Sequence, residues 1–200
     1  MSKNYWRLIK TSVFLFFLMP FLGLIFDAIY DQLGANPIET LHFTLGDWAL
    51  RFLCLGLAIT PVRKIFKQNW LSRFRRMIGL YAFFYASMHF LVFIVLDLSL
   101  SWEALVDEVP KSPYILMGLL TYLLLIPLAM TSTNAMQKRL GKKWLSLHKL
   151  VYVAGTTAVI HYLWLVKTID GEPIFYASLM FILLSYRLFN YFKARWRLSA

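Results

Sequence analysis

Four histidines, His42, His89, His148 and His161, are the residues of this 200-residue chain best suited to chemistry. The sequence contains no glycine-rich phosphate loop and no dinucleotide-binding fingerprint. It has no carboxylate pair within an apolar helical stretch, and the single Cys54 excludes both an intrachain disulfide and a cysteine-based metal motif. A neutral imidazole offers one nitrogen lone pair, and two imidazoles at matched depth can ligate one iron. Bis-imidazole ligation of a haem keeps iron six-coordinate, which suits electron transfer and leaves no open position for a substrate.

The elements that must carry these residues are apolar. Hydrophobic residues make up 60% of the chain, charged residues 16%, and mean hydropathy is +0.60 although the net charge is +11. A soluble domain of this size needs more polar surface, so the bilayer is the expected solvent and the basic charge is no nucleic-acid footprint. Crossing about 30 Å of hydrocarbon takes about 20 helical residues. Six apolar segments meet that description, near 11–30, 45–60, 77–98, 114–130, 147–167 and 174–191, the second extendable toward His42. Gly34 with Pro37, Pro61, Pro110 with Pro113, Gly141, and Gly171 with Pro173 punctuate the gaps. The expected fold class is all-α: one polytopic six-transmembrane-helix bundle over residues 1–200, with no repeat and no linker. The first segment is too long for a signal-peptide core and lacks a clear small-residue cleavage site, so it reads as a retained helix.

Charge sorts the ends of these segments. All but three of the 21 Lys and Arg fall on one side: Lys3, Arg7 and Lys10; Arg63, Lys64, Lys67, Arg73, Arg75 and Arg76; Lys138, Arg139, Lys142, Lys143 and Lys149; Arg187, Lys193, Arg195 and Arg197. Arg51, Lys111 and Lys167 fall on the other, together with all 10 acids, from Asp27 to Glu172 and including Asp170. An excess of basic residues marks the cytoplasmic side, which predicts that both termini are cytoplasmic.

Depth then separates the histidines. His89 lies about 18 Å beyond Met77, and His161 about 21 Å beyond Leu147, on helices running outward from the cytoplasm. They are expected to meet in the outer half of the bilayer as an iron-ligating pair. His148 falls near the inner face, a possible ligand of a second haem or a contact of another cofactor. Its counterparts on the third helix are Arg75 and Arg76, which suit a haem propionate or a flavin phosphate but are poor iron ligands. On one continuous ideal helix His148 and His161 would point roughly 140° apart. His42 is expected in a solvated outer loop, and Arg51 in an i,i+4 pair with Asp47. Phe83, Phe84, Tyr85 and Phe90 resemble cofactor walls, although aromatic runs usually face lipid or pack, while Pro20, Pro61 and Pro127 need only mark helix ends or kinks.

Two stretches carry a resemblance. Thr131-Ser132-Thr133-Asn134-Ala135-Met136-Gln137-Lys138-Arg139-Leu140-Gly141 continues to Trp144, Leu147-His148, Tyr152 and Ile160-His161-Tyr162-Leu163-Trp164. Upstream stand Leu41-His42-Phe43-Thr44, Ile59-Thr60-Pro61 and Arg75-Arg76-Met77-Ile78-Gly79-Leu80 leading to His89. These closely resemble the bacterial MsrQ (YedZ) family and, more distantly, the ferric-reductase and NADPH-oxidase membrane domain. The resemblance implies a haem b membrane subunit of a methionine sulfoxide reductase system in the bacterial inner membrane. Such a subunit passes electrons to MsrP, a periplasmic molybdenum-dependent enzyme that repairs oxidised proteins. It also implies FMN as a cofactor, with a cytosolic flavin reductase or the quinone pool as donor. The family's histidines match His89, His148 and His161, whereas Arg75 stands where the wider oxidase pattern has a fourth haem ligand. The expected function is therefore a membrane electron conduit that makes or breaks no substrate bond itself. A haem-free proton-relaying transporter and a self-sufficient ferric reductase or oxidase are the alternatives.

Overall fold

The computed structural model describes residues 3–166 and 171–199, and the described residues form helices joined by short connections. Lys167 and Asp170, placed on the outer side by the charge reading, lie outside them. In chain order the helices are α1 (Lys3–Ile29), α2 (Pro37–Ile65), α3 (Arg75–Val92), α4 (Trp102–Lys111), α5 (Pro113–Met130), α6 (Asn134–Leu140), α7 (Lys142–Leu147), α8 (Leu150–Leu165) and α9 (Gly171–Ser199). A 3-10 turn, Asn69–Arg73, precedes α3, and a π-helical turn, Phe93–Asp97, extends it.

The second helix differs most from expectation. The sequence places it at 45–60, extendable toward His42, with Pro61 as a helix end or kink; α2 begins at Pro37, beyond that extension, and continues through Pro61 to Ile65. Its start is fixed by Asn36, whose side chain accepts the Glu39 N–H and donates to the Glu39 carboxylate, with Pro37 in the first turn. Pro61 removes the N–H that would bond the Leu57 carbonyl. Arg187 on α9 supplies the missing donor, its Nη2 lying 2.7 Å from the Leu57 oxygen. The proline is therefore absorbed within the helix instead of ending it. One consequence is that His42, expected in a solvated loop, stands on α2.

The segment 147–167 is also not one helix. α7 ends at Leu147, His148 and Lys149 form a turn, and α8 starts at Leu150. His148 therefore sits in the turn before the helix that carries His161, and not within that helix. A further helix, α4, occupies the gap around Pro110, capped by Ser101 accepting the Ala104 N–H at 3.1 Å. Its Leu105 and Val109 face inward while Trp102 and Val106 are exposed, an amphipathic arrangement.

Among the described residues, five helices are long and apolar enough to cross a membrane: α1, α2, α3 with its π turn, α5 and α9. The sixth expected span is not among them: α8, the helix in that region, has 16 residues and reaches about 24 Å, short of the roughly 30 Å of a hydrocarbon core. α2 pairs chiefly with α3 and α5 with α8; α3 meets α5, and α9 lies against α8 and α2.

Aromatic packing joins α1, α2 and α3. Phe52 stacks on both Tyr81 and Tyr85, with centroids 5.4 Å away in each case, and Phe17 meets Phe52 edge-on at 4.9 Å. The fully buried Tyr85 donates its hydroxyl to the Phe17 carbonyl at 2.9 Å and accepts the Phe21 N–H at 3.2 Å. It thus bridges two backbone groups of α1 beside Pro20, where the helix is already short of a donor. Tyr85→Phe is expected to lower unfolding stability in detergent by about 1–3 kcal/mol, because both α1 groups lose a buried partner. Thermal unfolding followed by circular dichroism checks this, and an unchanged midpoint would contradict the bridge.

Candidate functional site

α2, α3, α5 and α8 line a cavity of about 730 Å³, with α4 across one end. That volume lies within the usual range for a bound small molecule or cofactor, and the lining is mostly apolar with a few polar groups, as such sites require. His42, His89 and His161 line it, with Leu53, Phe90, Leu119 and Tyr122 among its apolar walls.

The imidazoles of His89 and His161 face the same space with ring centroids 6.1 Å apart and planes at 77°. A metal–imidazole bond of about 2 Å on each side, plus about 1 Å from nitrogen to ring centre, requires roughly 6 Å between two axial ligands of one metal. His89 Nδ1 lies 3.0 Å from the His42 carbonyl, and His161 Nδ1 lies 2.6 Å from the Tyr114 carbonyl. A carbonyl only accepts, so each Nδ1 carries the ring proton and each Nε2 keeps its lone pair. Orientation of a ligating histidine by a hydrogen bond from its other nitrogen is the usual outer-shell device of metal sites. The residues present therefore fit a bis-imidazole iron.

His42 is closer to this site than its expected loop position allowed. Its ring lies 5.1 Å from that of His89, and its Nε2 meets the Asp97 carboxylate at 2.6 Å. Asp97 ends the π turn, whose wider coil sets the carboxylate against α2. Arg51 does pair with Asp47, at 3.3 Å, and also donates to the Tyr176 hydroxyl at 3.0 Å and lies over the Trp48 ring. Of the four aromatics expected as walls, Phe90 lines the cavity, stacked on Tyr122 at 4.6 Å. Phe84 instead packs on Phe21 of α1, Tyr85 is buried in the aromatic core, and Phe83 stacks on Tyr122 at 5.9 Å.

The structure sets His148 apart from that cavity, in the turn before α8. Its ring stacks on Trp144 at 3.9 Å, and its Nε2 lies 3.1 Å from the Thr131 hydroxyl. That hydroxyl donates to the Pro127 carbonyl at 2.6 Å, so it accepts from His148 Nε2–H and leaves Nδ1 as the lone-pair nitrogen. An iron at Nε2 would have to displace Thr131, whose own bond to Pro127 would survive. Burial and the neighbouring Arg75 guanidinium hold the His148 imidazole below its ordinary value, keeping it neutral at pH 7. The two expected arginines part company. Arg75 is the one that His148 feels, whereas Arg76 is held on α6 by Asn134 at 2.6 Å and Gln137 at 3.3 Å.

Sequence reasoning missed Asp97, Gly46, Gly118 and Arg187. Arg187 had been read as a topology charge, yet it donates to the Tyr152 hydroxyl and the Leu57 carbonyl, both at 2.7 Å. Its Nε is buried without a partner among the described residues. The available signal was Pro61, which left a carbonyl on α2 in need of a donor.

Residues 45–159 match the family described as ferric reductase like transmembrane component. A protein of Herminiimonas arsenicoxydans named protein-methionine-sulfoxide reductase heme-binding subunit MsrQ is 46% identical over 185 residues, 91% of this chain and 85% of that protein. Its namesake in Ralstonia nicotianae is 43% identical over the same shares, and that of Xanthomonas euvesicatoria pv. vesicatoria is 47% identical over 82% of this chain and 76% of its own length. With the histidine pair and its cavity in place and likeness running over most of the chain, this protein belongs to the MsrQ family of ferric reductase-like transmembrane proteins.

Proposed function

We propose that the chain is the haem b-binding, electron-transferring membrane subunit of a protein-methionine-sulfoxide reductase system, with His89 and His161 as the two axial ligands. The observation that carries this reading is the 6.1 Å separation of two imidazoles whose Nδ1 protons are both committed to helix carbonyls. A haem held by His89 and His161 would supply one-electron transfer chemistry. The protein's own part is to orient both rings, keep Nε2 deprotonated, and line the site with apolar side chains that limit water.

In this reading α1, α2, α3, α5, α8 and α9 are the six spans, with both termini on the cytoplasmic side of the bacterial inner membrane. α8 reaches the inner face through the α7–His148 turn. Electrons enter at the basic inner side from a cytosolic flavin reductase or a quinol. His148, Trp144 and Arg75 lie there and would contact an inner cofactor, either a second haem or the FMN that the resemblance implies. Electrons leave at the acidic outer side toward a periplasmic MsrP-like molybdoenzyme, whose complementary face would be basic.

A reduced-minus-oxidised absorption spectrum of protein purified after expression with ample haem tests this. Bands of a six-coordinate b-type haem are the expected result. Full membrane insertion with no bound haem would overturn it, and would favour the proton-relay alternative if transport were then found.

A further inference from the structure

The two candidate ligands are seated by the same local device, and glycine is its central part. His89 points Nδ1 at the carbonyl of residue 42 on α2, and His161 points Nδ1 at the carbonyl of residue 114 on α5. Carbonyl and imidazole are 47 residues apart in both cases. Four residues after each carbonyl stands a glycine, Gly46 on α2 and Gly118 on α5.

Helix geometry explains the four-residue step. The carbonyl of residue i accepts the N–H of residue i+4, and the side chain of i+4 leans back toward the helix N-terminus, over that carbonyl. Without a Cβ at i+4 the carbonyl stays open on one side, so a ring N–H from a neighbouring helix can share it. The approach is close in both places. A Cβ on Gly118 would stand 2.9 Å from His161 Cε1 and Nδ1, and one on Gly46 would stand 3.3 Å from His89 Cε1. Normal contact between carbon atoms is about 3.5–4.0 Å, so an added methyl must move His161 outright and crowd His89.

We propose that Gly46 and Gly118 are positioning residues for the two axial imidazoles. Each uncovers the helix carbonyl that fixes its ligand's ring proton and plane, so α2–α3 and α5–α8 present one ligand apiece from equivalent seats. This rests on the assignment of His89 and His161 as ligands.

Alanine favours a helix interior over glycine, so a substitution here does not weaken the helix that carries it. Purified Gly118→Ala protein is expected to keep its helical content and lose the low-spin haem signal, with haem retention falling about 10- to 100-fold, the usual cost of an outer-shell change. Gly46→Ala is expected to retain haem with shifted electron paramagnetic resonance g-values and a shifted midpoint potential. Gly155→Ala is the control, because its Cβ would meet the flexible Met180 methyl at 2.9 Å and no histidine. It is expected to leave the haem signal and potential unchanged.

His161→Ala is measured alongside. Loss of signal in His161→Ala combined with unchanged g-values, potential and haem content in both Gly46→Ala and Gly118→Ala would overturn the positioning role alone. An unchanged signal in His161→Ala would overturn the ligand assignment beneath it. Should Gly118→Ala fail to accumulate in the membrane, Gly46→Ala decides: a perturbed haem supports the role and an unperturbed one refutes it.

Discussion

His89→Ala and His161→Ala are each expected to abolish the low-spin haem signal, because the proposed haem would lose one of its two imidazole ligands in either variant. His42→Ala is expected to keep it. His42 approaches within 5.1 Å of His89, but it holds that ring through its backbone carbonyl, which alanine retains. His148→Ala is likewise expected to leave this particular signal intact, since its ring is engaged by Trp144 and Thr131 away from the cavity. Absorption and electron paramagnetic resonance spectra of the four purified variants check the set. Survival of the signal in His161→Ala with its loss in His148→Ala would mean that the wrong residue near α8 has been paired with His89.

The second large effect concerns Arg187, and its sign is read most cleanly from a double-mutant cycle. Arg187→Met leaves the Leu57 carbonyl without a donor inside an apolar bundle, since Pro61 cannot supply one. Pro61→Ala restores the missing N–H within α2. The destabilisation caused by Arg187→Met is therefore expected to be about 1–3 kcal/mol smaller in a Pro61→Ala background than in the wild type. Denaturation of the four proteins in one detergent measures the difference. Additive effects would show that the two residues are not partners.

This pair also shows where sequence reading stops. Pro61 was legible as a breaker, and a breaker ordinarily ends a helix. Here it does not, because the donor that rescues α2 comes from a residue 130 positions away on α9, and no local pattern reports that. The same non-locality hid the surroundings of His42. Its helix starts at an Asn36–Pro37 cap that the sequence does contain, but the Asp97 that meets it lies on a π turn with no distinctive composition.

What could be read was what depends on depth alone. His89 and His161 were matched by counting helical rise from the apolar boundaries, and the structure puts their rings in one cavity. Rotation about the axis was not readable in the same way. On one continuous helix His148 and His161 point apart, and the break between α7 and α8 was marked by no proline or glycine at 148–149. Arg75 and Arg76 are adjacent in sequence and equivalent in depth, and only tertiary partners separate the one near His148 from the one held by α6. The glycines were visible, but their use depends on which helix packs against them.

The proposed function turns on one iron held by two neutral imidazoles, one from α3 and one from α8. Near-infrared magnetic circular dichroism of the oxidised, purified protein, run beside His89→Ala and His161→Ala, tests it most directly, because the low-spin charge-transfer band reports the identity of both axial ligands. A bis-imidazole band in the wild type that disappears in both variants is the expected result. A wild-type spectrum of high-spin or single-histidine haem, or a bis-imidazole band that survives either substitution, would contradict it.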